Sequence, residues 1–251
     1  MLADRRRYSI LEMLGERSFV ETSELARLLD VSELTVRRDL TELESQGVVR
    51  RVRGGAVATG QEELSFKARR IQHAEEKQRI AQRAAELVED GDCVLLEAGT
   101  TVSAMVPFVR ARRGLKVVTH AVNIAASLLQ CSSVDLTMIG GTVRPNSWAT
   151  VGASAEAAIQ ELYFEKLFLS CDGITVEHGL TAYDEDEAQL NRKMIERAAQ
   201  CYLLADHSKF GKDALYRVTD LAAMTAVITG TEIGPELLEA VRAAGIEVLM
   251  A

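Results

Sequence analysis

Residues 31–55 read VSELTVRRDLTELESQGVVRRVRGG, and the spacing within this stretch determines the first part of the predicted fold. Ser32 is placed to cap a helix that runs to about Gln46, and Gly47 follows as a helix stop. Helical periodicity predicts that this helix turns four residues inward: Leu34, Val36, Leu40 and Leu43. Beyond the helix, residues 48–53 alternate as in a strand, and the two glycines that follow permit a hairpin turn.

Upstream of this stretch, the spacing of apolar residues predicts two further helices. The first covers residues 4–14, and the second begins at Thr22 or Ser23. The second helix would bury three leucines: Leu25, Leu28 and Leu29. Two helices joined by a short turn and followed by a basic β-ribbon predict a winged helix-turn-helix over residues 1–58.

The side chains of this segment suit the reading of DNA. A recognition helix places its N-terminal residues in the major groove, where hydroxyl groups and the planar guanidinium fork bind base edges or phosphates. The candidate DNA-binding residues are Ser32, Glu33, Thr35, Arg37 and Arg38 on the helix and Arg50, Arg51 and Arg53 on the wing. The alternative for the two helix arginines is pairing with Glu33 or Glu42 on a solvated face.

Charge is distributed unevenly along the 251 residues, whose net charge is −8. Residues 1–58 carry ten arginines, no lysine and ten acids, so the whole acidic excess lies in the remainder. This contrast suggests two domains with two tasks. Because no apolar run approaches the ~18 residues of a membrane span and residues 1–10 do not form a secretory signal, we expect a cytoplasmic protein without membrane contact. The four cysteines, 38, 40 and 30 residues apart, predict neither a metal site nor a disulfide framework.

The second part of the chain alternates between strands and helices. Residues 59–74 are polar and mixed, and we interpret them as a linker; helical spacing resumes from Glu75 to Glu89. Short apolar runs predict seven strands at residues 93–96, 115–118, 134–139, 166–170, 202–205, 226–229 and 247–250. The predicted fold of residues 75–251 is therefore α/β, with a mostly parallel sheet covered on both faces.

Polar residues follow the carboxyl ends of these strands, where α/β sheets bind ligands. They are Glu97, Gly99, Thr100, Thr101, His120, Asn123, Gly141, Arg144, Asp172, Gly173, Asp206 and Lys209. Cations suit a phosphate and carboxylates suit sugar hydroxyls, so we predict a sugar-phosphate site, with an unphosphorylated sugar or another small acid as the alternative. Residues 99–101 alone are weak evidence, because a helix N-cap explains them equally well.

Both halves of the chain resemble one family. The motifs T-V-R-R-D-L at 35–40 and R-V-R-G-G-A at 51–56 resemble the DNA-binding domain of the DeoR/GlpR family of bacterial transcriptional regulators. E-E-K-Q-R-I-A at 75–81, G-T-T at 99–101 and L-L-A-D-H-S-K-F-G at 203–211 resemble its sensor domain, which is similar in fold to ribose-5-phosphate isomerase.

The resemblance implies operator DNA as a partner, a homodimer or homotetramer, and a phosphorylated sugar or polyol that weakens the operator complex. It implies no cofactor. It places Lys77 and residues 99–101 at phosphate- and substrate-binding positions, and it aligns residues 172–173 and 205–209 with active-site runs of the isomerase. We therefore predict a repressor of a carbohydrate-catabolism operon.

Three departures from the family pattern affect this prediction. Glu97 stands where the family has Asp, so we expect a different ligand size. His120 stands where the family has Asn, and it either reads a different group or bonds a neighbouring backbone. The isomerase has T-R-E-K where residues 191–193 read N-R-K, so a base is missing and we predict binding without turnover. Carboxylates at 172, 184 and 187, with Asp184 among the candidate effector contacts, keep an isomerase-like enzyme open as an alternative, and a ligand-dependent activator is another.

Overall fold

The structure, a computed structural model, describes residues 3–16, 19–45, 49–58 and 64–251. The chain folds as two compact units, an N-terminal unit, Met1–Ala74, and a C-terminal unit, Glu75–Ala251. The predictions made at Gln46, Gly47 and the first residue of the 48–53 strand lie outside the described residues.

The N-terminal unit combines three helices with a small antiparallel sheet. The elements are α1 (Ala3–Glu16), β1 (Phe19–Glu21), α2 (Thr22–Leu28), α3 (Glu33–Ser45), β2 (Val49–Val52) and β3 (Gly55–Ala58), with the strands in the order β1-β3-β2. Ser32 caps α3 as predicted, since its Oγ accepts a hydrogen bond from the Thr35 N–H at 3.2 Å. A two-residue turn with Gly54 at φ +89° joins β2 to β3, which completes the predicted winged helix-turn-helix.

Three details of this unit differ from the sequence-based prediction. The N-cap of α2 is Glu21 and not Thr22 or Ser23, and no side chain caps it. Leu28, the last residue of α2, is 52% exposed, and Leu34, in the first turn of α3, is 59% exposed. The buried face of α3 is defined by residues spaced four and three apart (Val36, Leu40 and Leu43), and Leu34 lies about 200° around the helix from the first of them.

The interval that was predicted as a linker contains a helix. Helix α4 (Phe66–Ile71) begins after Ser65, whose side chain accepts a hydrogen bond from the Ala68 N–H at 3.4 Å. Ala68 packs in the hydrophobic cluster of the N-terminal unit. The polar composition of this interval concealed the helix, because its arginines and lysine outnumber the few apolar residues that are buried.

The C-terminal unit contains the remaining elements. The helices are α5 (Ala74–Ala85), α6 (Thr100–Ser103), α7 (Val106–Val109), α8 (Val122–Leu128), α9 (Ala153–Gln160), α10 (Glu185–Glu196) and α11 (Pro235–Ala243). The strands are β4 (Cys93–Leu96), β5 (Leu115–Thr119), β6 (Val134–Met138), β7 (Thr142–Arg144), β8 (Ala149–Val151), β9 (Phe164–Leu169), β10 (Gly173–Thr175), β11 (Gly179–Ala182), β12 (Ala198–Leu204), β13 (Tyr216–Thr219), β14 (Ala226–Thr229) and β15 (Glu247–Met250). Two 3₁₀ turns cover His207–Lys209 and Leu221–Ala223.

Seven of these strands form one sheet in the order β15-β14-β12-β9-β4-β5-β6, and every neighbouring pair is parallel. All seven overlap predicted strands, although β9 and β12 begin two and four residues earlier than predicted, and the α/β prediction is confirmed. Every residue of β14 and three consecutive residues of β4 are buried, as a sheet covered on both faces requires.

Sequence patterns did not reveal two smaller sheets. Strands β10, β11 and β13 form an antiparallel sheet, and β7 pairs with β8 in a hairpin. Their strands are only three or four residues long, too short to show a clear period. In the described part of the chain, no helix has the length and apolar character needed to cross a membrane.

Candidate functional site

The candidate DNA-binding residues of the N-terminal unit lie on α3 and the wing. Thr35 is half-buried and the other seven are exposed. Arg37 donates to Glu33, with 2.8 Å between Nη2 and Oε2, so the alternative of helix-face pairing holds for this arginine. Arg51 ties the wing to α3, because its Nη1 donates to Thr41 Oγ1 at 2.9 Å and its backbone N–H to Glu44 Oε1 at 2.8 Å.

Three arginines remain available on this surface. Within the described ranges, no side-chain hydrogen bond or ion pair engages Arg38, Arg50 or Arg53, and all three are exposed. Exposed guanidinium groups on a helix and an adjacent ribbon form an electrostatic footprint for a phosphate backbone.

The sequence-based prediction did not include Asp39, which lies on the buried side of α3 and links this helix to α1. Asp39 is 2% exposed and receives hydrogen bonds from two arginines of α1. Arg6 donates through Nε to Oδ2 and through Nη2 to Oδ1 at 3.1 Å, and Arg7 Nε donates to Oδ1 at 3.3 Å. The hydrogen bond to Asp39 raises the pKa of Arg6 above its usual value. The run of arginines at 5–7 was the available signal, but their partner lies more than thirty residues away.

In the C-terminal unit, most of the predicted effector residues converge. Strands β12, β9, β4 and β5 are consecutive in the sheet, so their carboxyl ends share one edge. Asp206, Asp172, Glu97 and His120 follow those four ends, Lys77 comes from α5, and the hairpin β7–β8 contributes Arg144. The convergence is the arrangement that α/β sheets use for ligands.

Glu97 is buried at the end of β4. Its Oε2 accepts hydrogen bonds from the Gly99 N–H at 2.8 Å, from the Ser170 N–H at 3.0 Å and from Ser170 Oγ at 3.2 Å. Burial away from water raises the pKa of Glu97 to about 7, and the nearby Glu187 contributes to the rise. A Cβ at position 99 would lie 1.8 Å from Ser170 Oγ, which accounts for the glycine there by packing.

The raised pKa of Glu97 predicts a pH-dependent stability. The folded protein holds a proton on this carboxyl up to about pH 7, whereas the unfolded chain releases it near 4.5. The unfolding free energy should therefore fall as pH rises through that window, by roughly 3 kcal/mol. Glu97→Gln should remove this part of the slope, measured as the difference from the wild type in urea unfolding at pH 5 and pH 8. The fluorescence of Trp148, the only tryptophan, reports the transition; identical slopes in the two proteins would contradict the prediction.

His120 is held by backbone groups on both sides of its ring. Nε2 accepts a hydrogen bond from the Ala98 N–H at 3.2 Å, and Nδ1 lies 3.1 Å from the Thr150 carbonyl oxygen. Nδ1 therefore carries the proton of a neutral ring, and burial lowers the pKa of His120 to about 4. This geometry favours the structural interpretation of His120, since a ligand would have to displace one of these bonds.

Arg144 lies between two carboxylates at the start of α10. Its Nε is 2.9 Å from Asp184 Oδ2, and its Nη1 is 3.2 Å from Glu187 Oε1. Asp184 also caps α10, because Oδ1 accepts a hydrogen bond from the Glu187 N–H at 3.1 Å. The structure thus brings the predicted residues Asp184 and Arg144 together. Glu187, which was not among the predicted effector contacts, belongs to the same cluster.

Two lysines face carboxylates at the same edge of the sheet. Lys77 Nζ is 3.5 Å from Asp206 Oδ2, and the two side chains are only 5% and 1% exposed. Lys209 Nζ is 3.9 Å from Asp172 Oδ1, whose other oxygen accepts a hydrogen bond from the Tyr183 N–H at 3.0 Å. One buried and one partly exposed ammonium group, each beside a carboxylate, form a polar surface with the charge and hydrogen-bonding groups for an anionic and hydroxylated molecule.

The sequence-based list of effector residues did not include two other residues of this edge, Glu76 and His207. Glu76, next to Lys77, is buried, and its oxygens accept hydrogen bonds from His207 N at 2.8 Å and from His207 Nδ1 at 2.7 Å. Desolvation raises the pKa of Glu76. This pair fixes the 3₁₀ turn that carries Lys209 against α5.

Two polar atoms near the end of β5 are buried without a partner in the described part of the chain. Asn123 donates through Nδ2 to Ser103 Oγ at 2.8 Å, but its Oδ1 has no hydrogen-bond partner, and neither has Ser147 Oγ. The two segments adjoin, since the Val122 N–H donates to the Trp148 carbonyl at 2.8 Å. Buried polar atoms are nearly always satisfied, so these two have hydrogen-bonding capacity that the described residues do not use.

Close packing explains the two glycines among the remaining predicted positions. A Cβ on Gly141 would lie 2.7 Å from the Val151 carbonyl oxygen, and one on Gly173 would lie 2.4 Å from that of Lys212. Thr100 and Thr101 begin α6, which is one turn long, and Thr101 is buried. A one-turn helix carries little macrodipole, so the end of α6 by itself attracts an anion only weakly.

Comparison with known proteins agrees with this two-part organisation. Residues 6–62 match the family described as DeoR-like helix-turn-helix domain, and residues 72–231 match the DeoR C terminal sensor domain. The chain is 34% identical over 249 residues to the putative aga operon transcriptional repressor of Escherichia coli O157:H7, covering 98% of this chain and 93% of that protein. It is 33% identical over 234 residues to the lactose phosphotransferase system repressor of Streptococcus mutans, covering 91% and 92%.

A solved structure of ribose 5-phosphate isomerase A from Methanocaldococcus jannaschii is also similar, with a TM-score of 0.42, 16% identity and 55% of each chain covered.

Proposed function

This chain belongs to the DeoR family of DNA-binding transcriptional regulators, and from that premise we propose that it represses a carbohydrate-catabolism operon and leaves its operator when a phosphorylated sugar or polyol binds. Of the two relatives described above, one is named as a putative repressor of the aga operon and the other as the repressor of a lactose phosphotransferase system. Family membership makes the chain a regulator rather than an enzyme. In our proposal residues 1–58 read DNA, residues 59–74 connect, and residues 75–251 sense the effector.

The observation that carries the effector proposal is the buried pair of Lys77 and Asp206 at the carboxyl edge of the sheet. An ammonium group there suits a phosphate, and the surrounding carboxylates suit hydroxyl groups. The unpartnered Oδ1 of Asn123 and Oγ of Ser147 supply further contacts for a polyhydroxy compound. Charge and hydrogen-bonding capacity together favour a phosphorylated polyol over an apolar ligand.

The assembly in this proposal is a homodimer or homotetramer that acts in the cytoplasm, where operator DNA lies. Two winged helices related by a two-fold axis match a two-fold or repeated operator. Effector binding favours an arrangement in which the two recognition helices no longer fit the half-site spacing. A hundredfold release requires a coupling free energy of about 2.7 kcal/mol.

A thermal-shift screen against sugars and polyols, each offered with and without its phosphate, tests the effector proposal. A compound at 100 times its dissociation constant should stabilise the protein by about 2.7 kcal/mol, which raises the melting temperature by a few degrees. We expect a shift with one phosphorylated compound and none with its dephosphorylated partner. The same compound should then release operator DNA in a fluorescence anisotropy titration. Equal shifts for both forms would contradict phosphate recognition, and tighter DNA binding with the compound would contradict repression.

A further inference from the structure

Leu34 stands out on α3 because it is an apolar side chain on the polar face. It is 59% exposed in the first turn of the helix, whereas Val36, Leu40 and Leu43 are buried. A lone exposed leucine on an ordinary surface needs no explanation. This one lies in the turn that a helix-turn-helix protein inserts into the major groove, so its surroundings decide its role.

The side chains around Leu34 carry the positive charge and the hydroxyl groups that suit DNA binding. On a helix, residues three and four apart share a face, so Leu34 lies beside Arg37 and Arg38. Ser32 precedes it at the start of the helix and Thr35 follows it, and their hydroxyl oxygens are 2.9 Å apart. The wing is tied to the same helix by the bond from Arg51 to Thr41, so its arginines extend this basic surface. A phosphate backbone complements the positive charge of this surface.

We propose that Leu34 contacts the C5-methyl group of a thymine in the major groove and so selects thymine at one position of each operator half-site. Among the four bases only thymine presents a methyl group in that groove, and apolar side chains recognise it by excluding water. Hydroxyl and guanidinium groups nearby bind phosphates and base edges and do not read a methyl group. The γ-methyl group of the half-buried Thr35 is the competing apolar contact, and a Leu34→Ala variant distinguishes the two. The inference rests on the assignment of α3 as the recognition helix.

The test removes the methyl group and nothing else. An operator is first selected from random duplex DNA with the full-length protein, and each of its thymidines is then replaced by deoxyuridine, one position per half-site at a time. For the wild type, one position should show an affinity loss of about fourfold per methyl group, the value expected for one buried carbon. Leu34→Ala should bind the thymine operator more weakly and show no response to deoxyuridine at that position.

Arg38→Ala is the matched control on the same helix face. It should lose affinity and part of the salt dependence, because a phosphate contact is removed, yet it should keep the fourfold response to the methyl group. Since Leu34 is exposed, Leu34→Ala should fold normally, and its circular dichroism and melting temperature verify this.

Two results would overturn the inference while leaving the regulatory function intact. One is a wild-type affinity that no deoxyuridine substitution changes, and the other is a Leu34→Ala protein with undiminished methyl sensitivity. Failure to select any DNA sequence would instead contradict the operator-binding function itself, so the two failures are distinguishable.

Discussion

Replacing Asp39 by alanine is expected to abolish operator binding and to lower the unfolding free energy of the N-terminal unit by about 3 kcal/mol. Asp39 is buried on α3, next to Arg38, and its carboxylate binds Arg6 and Arg7 of α1. The substitution removes the buried carboxylate that these two guanidinium groups, only 12% and 23% exposed, contact on α3. It also removes these polar contacts between α3 and α1, which remain joined by apolar packing, so the orientation of α3 is less tightly fixed.

Two measurements separate stability from DNA binding for this variant. Far-UV circular dichroism follows the whole chain, while Trp148 fluorescence reports only the C-terminal unit, whose transition should stay unchanged. Anisotropy with labelled operator measures affinity. Glu42→Ala removes an exposed carboxylate from the same helix and should leave the unfolding free energy within ~0.5 kcal/mol of the wild type. An Asp39→Ala protein with wild-type operator affinity would show that the buried ion pairs do not position α3.

Replacing Lys77 by methionine is expected to remove the response to the effector and to destabilise the C-terminal unit by about 3 kcal/mol. The change keeps the length of the side chain but deletes the ammonium group 3.5 Å from Asp206 Oδ2. Asp206 is 1% exposed, so its carboxylate would remain buried without that charge. Since the N-terminal unit is untouched, the variant should still bind operator and should repress permanently.

A double variant distinguishes the two roles of Lys77. In Lys77→Met with Asp206→Asn, the buried charge is removed on both sides, so much of the lost stability should return while the effector response stays absent. Lys212→Met deletes an exposed lysine of the same unit and should respond to the effector as the wild type does. A normal response of Lys77→Met, read as operator release in the presence of the compound, would place Lys77 outside the effector site.

Residue types at the strand ends predicted only part of the candidate site. The strand ends predicted which side chains share an edge of the sheet, because parallel strands bring their carboxyl ends together. They did not predict the partners: Ser170 binds Glu97, Glu187 binds Arg144, and His207 binds Glu76. Each of these pairs joins residues from different elements, so no local pattern contains it.

What the sequence determined by itself is the set of elements and their order. The seven parallel strands were predictable because each is a short stretch rich in apolar residues, and the winged helix-turn-helix was predictable from its helical spacing, its glycine turn and its arginines. Tertiary structure alone decided which way individual side chains face. Asp39 is buried because Arg6, 33 residues away, meets it there, and Leu34 is exposed because the stripe from Val36 to Leu43 packs the opposite side of α3. Local periodicity specifies an element, whereas burial and charge pairing depend on segments that only the folded chain brings together.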